Sequence, residues 1–168
     1  MMFETDMDTV PLPRGEYAPL LSQLDGLLDG ESDLGANAAN LAALAFHALP
    51  EINWFGFYWL RGGTLVVGAF QGRPACTRIA LGQGVCGTAA ARRETVIVED
   101  VHAFPGHIAC DPASRSEIVV PLIRGDRLLG VLDVDSPRPA RFDVRDQAGL
   151  EAMAARLLAA SDEGPALP

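Results

Sequence analysis

Apolar residues recur at helical spacing near both ends of the chain, whereas the middle holds short apolar runs between turn residues. The segments EYAPLLSQLDGLLDG and DLGANAANLAALAFHALP predict two helices, which end near Gly30 and at Pro50. The segment FDVRDQAGLEAMAARLLAAS predicts a closing helix with Asp143 as its N-cap residue.

The middle of the chain predicts strands. NWFGFYWL and TLVVGAF flank a glycine turn, and a brief TRIAL follows them. VCGTAAARR predicts a short helix, TVIV a strand, and residues 99–115 a long loop. EIVVPLIR and RLLGVLDVDS predict a hairpin around the dipeptide GD. Antiparallel runs of strands with helices at the two ends of the chain predict an α+β fold, in which one antiparallel sheet carries helices mainly on one face.

Composition narrows the class of protein. The 168 residues fit one domain, and 49% of them are hydrophobic, which is ample for a core. A net charge of -9 without clusters of Lys and Arg argues against nucleic acid or an anionic membrane as partner. The acidic N-terminus is not expected to be a signal peptide, and no apolar run reaches the ~20 residues of a membrane helix. We therefore expect a cytoplasmic protein.

Three cysteines are the most informative residues for chemistry. In the cytoplasm Cys76, Cys86 and Cys110 are more typical of free, catalytic or metal-bound thiols than of structural disulfides. His102 and His107 lie near Cys110, but the chain lacks the tight C-x-x-C pairs of structural zinc sites. We expect no metal site and no organic cofactor.

The segment GQGVCG matches the glycine pattern of dinucleotide-binding folds letter for letter. That function also requires a buried strand before the first glycine and a parallel strand-helix-strand unit. The apolar stretch before Gly82 is too short, and the later strands form a hairpin. We interpret the segment as a turn and a helix entry.

Cys110 has the surroundings of a nucleophile. It precedes DPAS, where Asp111 suits an N-cap and Pro112 suits the first position of a helix. A thiol at a helix N-terminus has a lowered pKa, although the charge of Asp111 opposes this effect. Cys86 alone would be interpreted as a small buried apolar residue, and Cys76 as an exposed loop residue.

Carboxylates occupy the apolar hairpin. Asp133 and Asp135 are two apart in one strand and so share a face, and Glu117 opens the other strand. They either hydrogen-bond to loop N–H groups or line a pocket, where burial and repulsion would raise at least one pKa. Trp54 and Tyr58 also share a face, either as core residues or as the aromatic wall of a ligand pocket.

The chain resembles a GAF domain, and specifically the free methionine-(R)-sulfoxide reductases. The resemblance runs from about Asn37 to the closing helix and is carried by NWFGFYWL, GRPACTRIALGQGVCGTAAA, HIACDPASRSEIVVPL and LLGVLDVDSP. It implies that Cys110 is the catalytic thiol, Cys86 the main resolving cysteine and Cys76 a further thiol able to pair with either. It also implies that the pocket is formed by the acids and aromatic residues Glu117, Asp133, Asp135, Trp54 and Tyr58.

The resemblance implies a function as well. Free L-methionine-(R)-sulfoxide would be reduced to methionine through a sulfenic acid at Cys110 and an intramolecular disulfide, and thioredoxin would recycle the enzyme. Glu117 or Asp135 would protonate the sulfoxide oxygen, and Asp133 would hold the substrate ammonium. The family also suggests a homodimer and a role in repairing oxidised free methionine. The alternative is a GAF-type small-molecule or redox sensor without catalysis. The expected organisation is an N-terminal arm and helix (1–36), a GAF domain (37–161) and a tail (162–168).

Overall fold

The computed structural model describes residues 11–108 and 110–162. Its elements follow the predicted order, with a single 3-10 turn at Val101–Ala103 inside the long loop. The helices are α1 (Ala18–Leu28), α2 (Leu34–Ala48), α3 (Gly84–Arg92) and α4 (Val144–Ala160). The strands are β1 (Trp54–Arg61), β2 (Thr64–Gly72), β3 (Arg78–Ala80), β4 (Val96–Val98), β5 (Ser116–Arg124) and β6 (Arg127–Ser136). The first ten residues of the predicted arm and all of the predicted tail except Asp162 lie outside the described residues.

The six strands form one antiparallel sheet in the order β3-β2-β1-β6-β5-β4. Helices α1, α2 and α4 pack on one face, and α3 packs on the other. The predicted α+β fold, with helices mainly on one face of an antiparallel sheet, is therefore confirmed. Because β1, β6 and β5 are central, residues on their α3-side face lie close together and beneath the long loops.

The alternation along β1 decides which side chains enter which layer. Phe55, Phe57 and Trp59 point into the large core under α1, α2 and α4, while Trp54 and Tyr58 point to the face that carries α3. All five are buried. The sequence NWFGFYWL thus builds the main core with one set of aromatic residues and one wall of a second layer with the other.

The glycines of GQGVCG serve the turn into α3. Gly82 and Gly84 have φ of +80° and +60°, in the left-handed region that favours glycine. A Cβ on Gly87 would lie 2.3 Å from the carbonyl oxygen of Ala80, so only glycine lets α3 approach β3 this closely. The interpretation of this segment as a turn and a helix entry is confirmed, since the sheet around it is antiparallel.

One prediction about the Cys110 loop is wrong. Asp111 and Pro112 do not begin a helix; residues 112 and 113 form only a turn, in which the Asp111 carboxylate accepts a hydrogen bond from the N–H of Ala113 at 2.9 Å. Strand β5 begins at Ser116 and leaves no length for a helix after the turn. Cys110 therefore does not lie at a helix N-terminus, contrary to the prediction from the sequence.

A buried network joins α1 to α4. The Asp146 carboxylate accepts two hydrogen bonds from Nη1 of Arg141, both at 3.1 Å, and one from the Tyr17 hydroxyl at 2.8 Å. It also accepts from the N–H of Asp143 and so closes the capping box of α4. Arg141 and Asp146 are each only 1% exposed. The apolar side of α1, with Leu20 and Leu24, is buried in the same core.

Asp146→Ala is expected to lower the free energy of unfolding by about 3–5 kcal/mol, because it leaves the buried guanidinium of Arg141 without its counter-charge. Chemical denaturation monitored by circular dichroism measures this loss. Asp25→Ala is the matched control: it breaks the exposed ion pair between Asp25 and Arg156 and should cost about 1 kcal/mol or less. Equal losses in the two variants would contradict the claim that the buried Arg141–Asp146 pair stabilises the fold more than the exposed pair does.

Within the described part of the chain, no helix combines the length and apolar character needed to cross a membrane.

Candidate active site

A pocket opens on the α3 side of the sheet, between the central strands and two loops. One loop joins β2 to β3 and carries Cys76; the other precedes β5 and carries Cys110. We call these the Cys76 loop and the Cys110 loop. The resemblance assigned eight residues to the site, and seven of them line this pocket: Trp54, Tyr58, Cys86, Cys110, Glu117, Asp133 and Asp135. The eighth, Cys76, is bonded to Cys110.

The register of the sheet brings the acids together. Asp135 of β6 lies between Trp54 of β1 and Glu117 of β5, so these three side chains form one row. Asp133 lies two residues further along β6 on the same face, opposite Gly56. The ring of Trp54 covers Gly56, since a Cβ there would come within 2.7 Å of the indole. The pattern of two-residue spacing seen in the sequence thus places three carboxyl groups on one floor.

Burial favours protonation of these acids. Glu117 and Asp133 are only 7% and 5% exposed. Burial raises the pKa of Glu117 well above its usual range, and the charges of Asp133 and Asp135 raise it further. Burial also raises the pKa of Asp133, to about 6, although hydrogen bonds with Glu117 and Cys86 act against that rise. The pKa of Asp135 is raised well above its usual range by burial and by Asp133.

These pKa shifts give Glu117 and Asp133 different protonation states near neutral pH. The hydrogen bond between Glu117 and Asp133 raises the pKa of Glu117 and lowers that of Asp133, which makes Glu117 the protonated partner. One oxygen of Asp133, Oδ1, has no hydrogen-bond partner among the described residues although it is buried. The pocket floor therefore holds an acid that can donate a proton next to a carboxylate that can accept hydrogen bonds.

Cys86 lies on α3 with its thiol against this floor. Its Sγ donates a hydrogen bond to Oε1 of Glu117 at 3.8 Å. Burial raises the thiol pKa well above its usual range, and the charge of Asp133 adds to that. The Cys86 thiol, one Glu117 oxygen and one Asp133 oxygen lie within 4.8 Å of one another, a spacing that would suit a metal ion. The thiol is free, and its protonation makes it a weak nucleophile in this state.

The disulfide joins Cys76 and Cys110, whose Cα atoms are 5.4 Å apart. The resemblance implied Cys86 as the main partner of Cys110 and Cys76 as a further one; in the structure it is Cys76 that is bonded. Cys76 is half-buried by this contact, not exposed as its glycine- and proline-rich loop suggested. The two loops are therefore linked covalently across the mouth of the pocket.

Aromatic residues form the side wall. The indole of Trp54 stacks between the rings of Tyr58 and Phe70, with centroid separations of 5.8 and 5.2 Å. Its Nε1 donates to the carbonyl oxygen of Arg73 at 3.1 Å, and the Tyr58 hydroxyl donates to that of Cys76 at 3.1 Å. Burial raises the pKa of Tyr58 well above its usual range, so the hydroxyl keeps its proton and stays a donor.

Sequence reasoning missed several residues at this site. Asn53, directly before β1, binds the Cys110 loop through its side chain. Phe70 supports the indole, and Ile108 lines the pocket beside His107. The only signal for Asn53 was a polar residue at the start of an aromatic strand. His107 was considered as a metal ligand; it lines the pocket, and burial and the nearby His102 lower its pKa.

The chain is similar to known proteins over most of its length. A family model described as a GAF domain matches residues 36–160. The free methionine-R-sulfoxide reductase of Escherichia coli is 50% identical over 84% of this chain and 86% of its own length. That of Saccharomyces cerevisiae is 46% identical over 80% and 79%. The crystal structure of the Neisseria meningitidis free methionine-R-sulfoxide reductase in complex with its substrate is 46% identical, covers 86% of this chain and 87% of that chain, and superposes with a TM-score of 0.83.

Proposed function

Because the chain belongs to the GAF domain family, and within it to the free methionine-R-sulfoxide reductases, we propose that it reduces free L-methionine-(R)-sulfoxide to methionine. The observation that carries this proposal is the meeting of a cysteine pair with protonated buried acids in one pocket. A thiol can displace the oxygen of a sulfoxide only if that oxygen becomes a leaving group. An acid in contact with the oxygen makes it one by protonating it.

In the first step the reduced Cys110 thiolate attacks the sulfur of the sulfoxide. A proton from Glu117 goes to the sulfoxide oxygen, and the protonated Asp135 beside it donates a hydrogen bond to the same oxygen. The S=O bond order falls as the new S–S bond forms. The substrate S–O bond then breaks and the hydroxide adds to the Cys110 sulfur. The S–S bond breaks in the same transfer and its electron pair returns to the substrate sulfur, so methionine leaves and a sulfenic acid, Cys–SOH, stays on the enzyme.

In the second step the Cys76 thiolate attacks the sulfur of the Cys110 sulfenic acid. The new S–S bond replaces the S–O bond, and the hydroxide leaves as water after taking a proton. The sum of the two steps is sulfoxide plus two thiols giving methionine, water and one disulfide. We assign Cys86 the role of a reserve thiol that can exchange with the disulfide once it is deprotonated, because its burial against Glu117 keeps it protonated in this state.

A dithiol protein then returns the enzyme to its reduced form by thiol–disulfide exchange. We propose thioredoxin as this partner, acting in the cytoplasm in the repair of oxidised free methionine. Cys76 and Cys110 lie on loops and are both only partly buried, which supports access by a second protein.

The proposed substrate contacts follow from charge. Methionine sulfoxide carries an ammonium and a carboxylate, and Asp133, with its unpartnered oxygen, is suited to the ammonium. The backbone N–H groups of the Cys110 loop are suited to the carboxylate, although no helix N-terminus strengthens them. The indole of Trp54, held between two rings, is suited to the S-methyl group.

Turnover of free methionine-(R)-sulfoxide with dithiothreitol is expected to exceed that of an N-acetylated, C-amidated methionine-(R)-sulfoxide at least ~100-fold in kcat/KM. The blocked compound lacks both charges, and the buried Asp133 would lose its partner. Chromatographic measurement of methionine gives both rates, and the free (S)-sulfoxide is the stereochemical control. Equal rates on free and blocked substrates would contradict the proposed pocket. Binding without turnover would instead favour a GAF-type sensor.

We also propose a homodimer. The buried leucines of α1 belong to the core of their own chain, so an interface formed by α1 and α2 would have to use their outer faces. A light-scattering mass equal to one chain would contradict this proposal. The domain limits given above, including the boundary at residue 36, likewise stay predictions.

A further inference from the structure

The start of β1 contacts both loops that carry the redox cysteines. Asn53 directly precedes β1, and Trp54 and Tyr58 belong to it, so the three lie within six consecutive positions. Their polar atoms nevertheless bind segments far away in the sequence. Asn53 binds the Cys110 loop, whereas Trp54 and Tyr58 bind the Cys76 loop. A single rigid element of the central sheet therefore holds the two halves of the disulfide.

Asn53 holds the Cys110 loop at two points. Its Nδ2 donates to Oδ2 of Asp111 at 3.3 Å and to Oγ of Ser114 at 3.2 Å. Its own backbone is fixed to the sheet, because its N–H donates to the carbonyl oxygen of Asp135 at 2.9 Å. The other amide atom, Oδ1, is buried and has no hydrogen-bond partner within the described residues. The hydrogen bonding of this side chain is thus directed to the residues that follow Cys110.

The Cys76 loop is fixed at both of its ends. Nε1 of Trp54 donates to the carbonyl oxygen of Arg73, and the Tyr58 hydroxyl donates to that of Cys76, each at 3.1 Å. The N–H of Val67 in β2 donates to the carbonyl oxygen of Thr77 at 3.0 Å, directly after the cysteine. The backbone around Cys76 therefore has little freedom while these bonds persist.

We propose that Asn53 and Tyr58 are positioning residues for disulfide closure, which hold Cys110 and Cys76 within bonding reach of each other. The proposal rests on the proposed function, since closure is its second step. Fixing both loops to one strand raises the effective concentration of one sulfur at the other, because the entropy of aligning them is lost on folding and not during the reaction. Neither residue touches a reacting sulfur in this role.

The closure itself is an exchange of bonds at the Cys110 sulfur. The Cys76 sulfur supplies the electron pair, the S–S bond forms, and the S–O bond of the sulfenic acid breaks with loss of hydroxide, which is protonated to water. No further oxidant is needed, because the sulfoxide has already supplied the oxidising equivalents. The rate depends on how often the Cys76 sulfur stands in line with the S–O bond, and this is the quantity that the two side chains control.

The first test measures the equilibrium of the Cys76–Cys110 disulfide with glutathione, which needs no sulfoxide. In a Cys86→Ser background the effective concentration is expected to fall about tenfold in Asn53→Ala and about three- to tenfold in Tyr58→Phe, which are the losses expected from one or two hydrogen bonds. Thr95→Ala is the matched control, because it removes a hydroxyl hydrogen bond to Glu151 far from both loops. It should leave the equilibrium unchanged. An unchanged equilibrium in both loop variants would overturn the proposal.

The second test separates closure from sulfoxide reduction in one turnover without reductant. In Asn53→Ala the ratio of the closure rate to the methionine-release rate is expected to fall about tenfold. The sulfenic acid that then accumulates is trapped by dimedone and detected by mass spectrometry. Asn53→Asp, which places a carboxylate against Asp111, should lower the ratio further. A proportional loss of both rates would overturn the role in closure. Absence of methionine from the wild-type protein would refute the proposed function, while the glutathione equilibrium would still decide the positioning role.

Discussion

Cys110→Ser is expected to lower turnover of free methionine-(R)-sulfoxide at least ~10³-fold, to the background of the assay. A serine hydroxyl is not ionised near neutral pH and cannot pass through a sulfenic acid, so both the attack on the sulfoxide sulfur and the later disulfide are lost. Dithiothreitol as reductant keeps the assay independent of any partner protein. Methionine is measured by chromatography for wild type and variant at the same substrate concentration.

The two remaining cysteines supply the matched controls. Cys76→Ser should still release about one methionine per enzyme in a single turnover, because Cys110 stays able to attack; its sulfenic acid then waits for dithiothreitol or for Cys86. Cys86→Ser should also keep the first release, and it should keep the Cys76–Cys110 disulfide. If Cys110→Ser retained turnover while one of the other variants lost it, the assignment of the nucleophile would be wrong. Substrate binding without chemistry in all of them would favour the sensor.

The fold can be predicted from the pattern of apolar and polar residues, because side chains alternate between the two faces of a strand and a short turn joins neighbouring antiparallel strands. Alternation in NWFGFYWL sends Phe55 and Phe57 to one layer and Trp54 and Tyr58 to the other, and the structure keeps that division. The two-residue turn between EIVVPLIR and RLLGVLDVDS leaves no alternative to a hairpin. The register that sets Asp135 beside both Glu117 and Trp54 depends on the pairing of three strands, which periodicity alone does not specify.

The parts of the site that escaped prediction depend on contacts between distant segments. Nothing local to Cys110 indicates that Cys76, 34 residues away, is its partner in the structure. Asp111 and Pro112 carry the local signature of a helix start, yet the early start of β5 allows only a turn. In the sequence Asn53 is only a polar residue before a strand; its role depends on contacts with the Cys110 loop, more than fifty residues away. In each case the missing information is tertiary.

The acids show the same division between local and tertiary information. Two-residue spacing predicts that Asp133 and Asp135 share a face, and an apolar strand predicts that they are buried. Which of them keeps a proton depends on the hydrogen bond between Asp133 and Glu117, a residue of the neighbouring strand. The sequence leaves Glu117 and Asp135 as equal candidates for the proton donor. The buried position of Glu117 beside Asp133 favours Glu117.

Glu117→Gln is therefore expected to lower kcat about 10²–10⁴-fold with little change in KM, because glutamine keeps the shape and a hydrogen-bond donor but cannot transfer a proton. The pH profile gives a second readout. Since the pKa of Glu117 is raised well above 4.5, the acid stays protonated at neutral pH, and kcat of the wild type should fall as the pH rises through that raised pKa. This alkaline limb should be absent in the residual activity of the variant.

Asp135→Asn is the matched control for this assignment. Asp135 lies opposite Glu117 in the sheet and also has a raised pKa, but an asparagine there still donates the hydrogen bond that the proposed mechanism requires of it. We expect a loss of about tenfold or less and an alkaline limb like that of the wild type. If Asp135→Asn instead removed the limb and Glu117→Gln kept it, the two acids would exchange roles. The proton would then come from the half-buried carboxyl of Asp135, and Glu117 would serve to hold Cys86 and Asp133 in place.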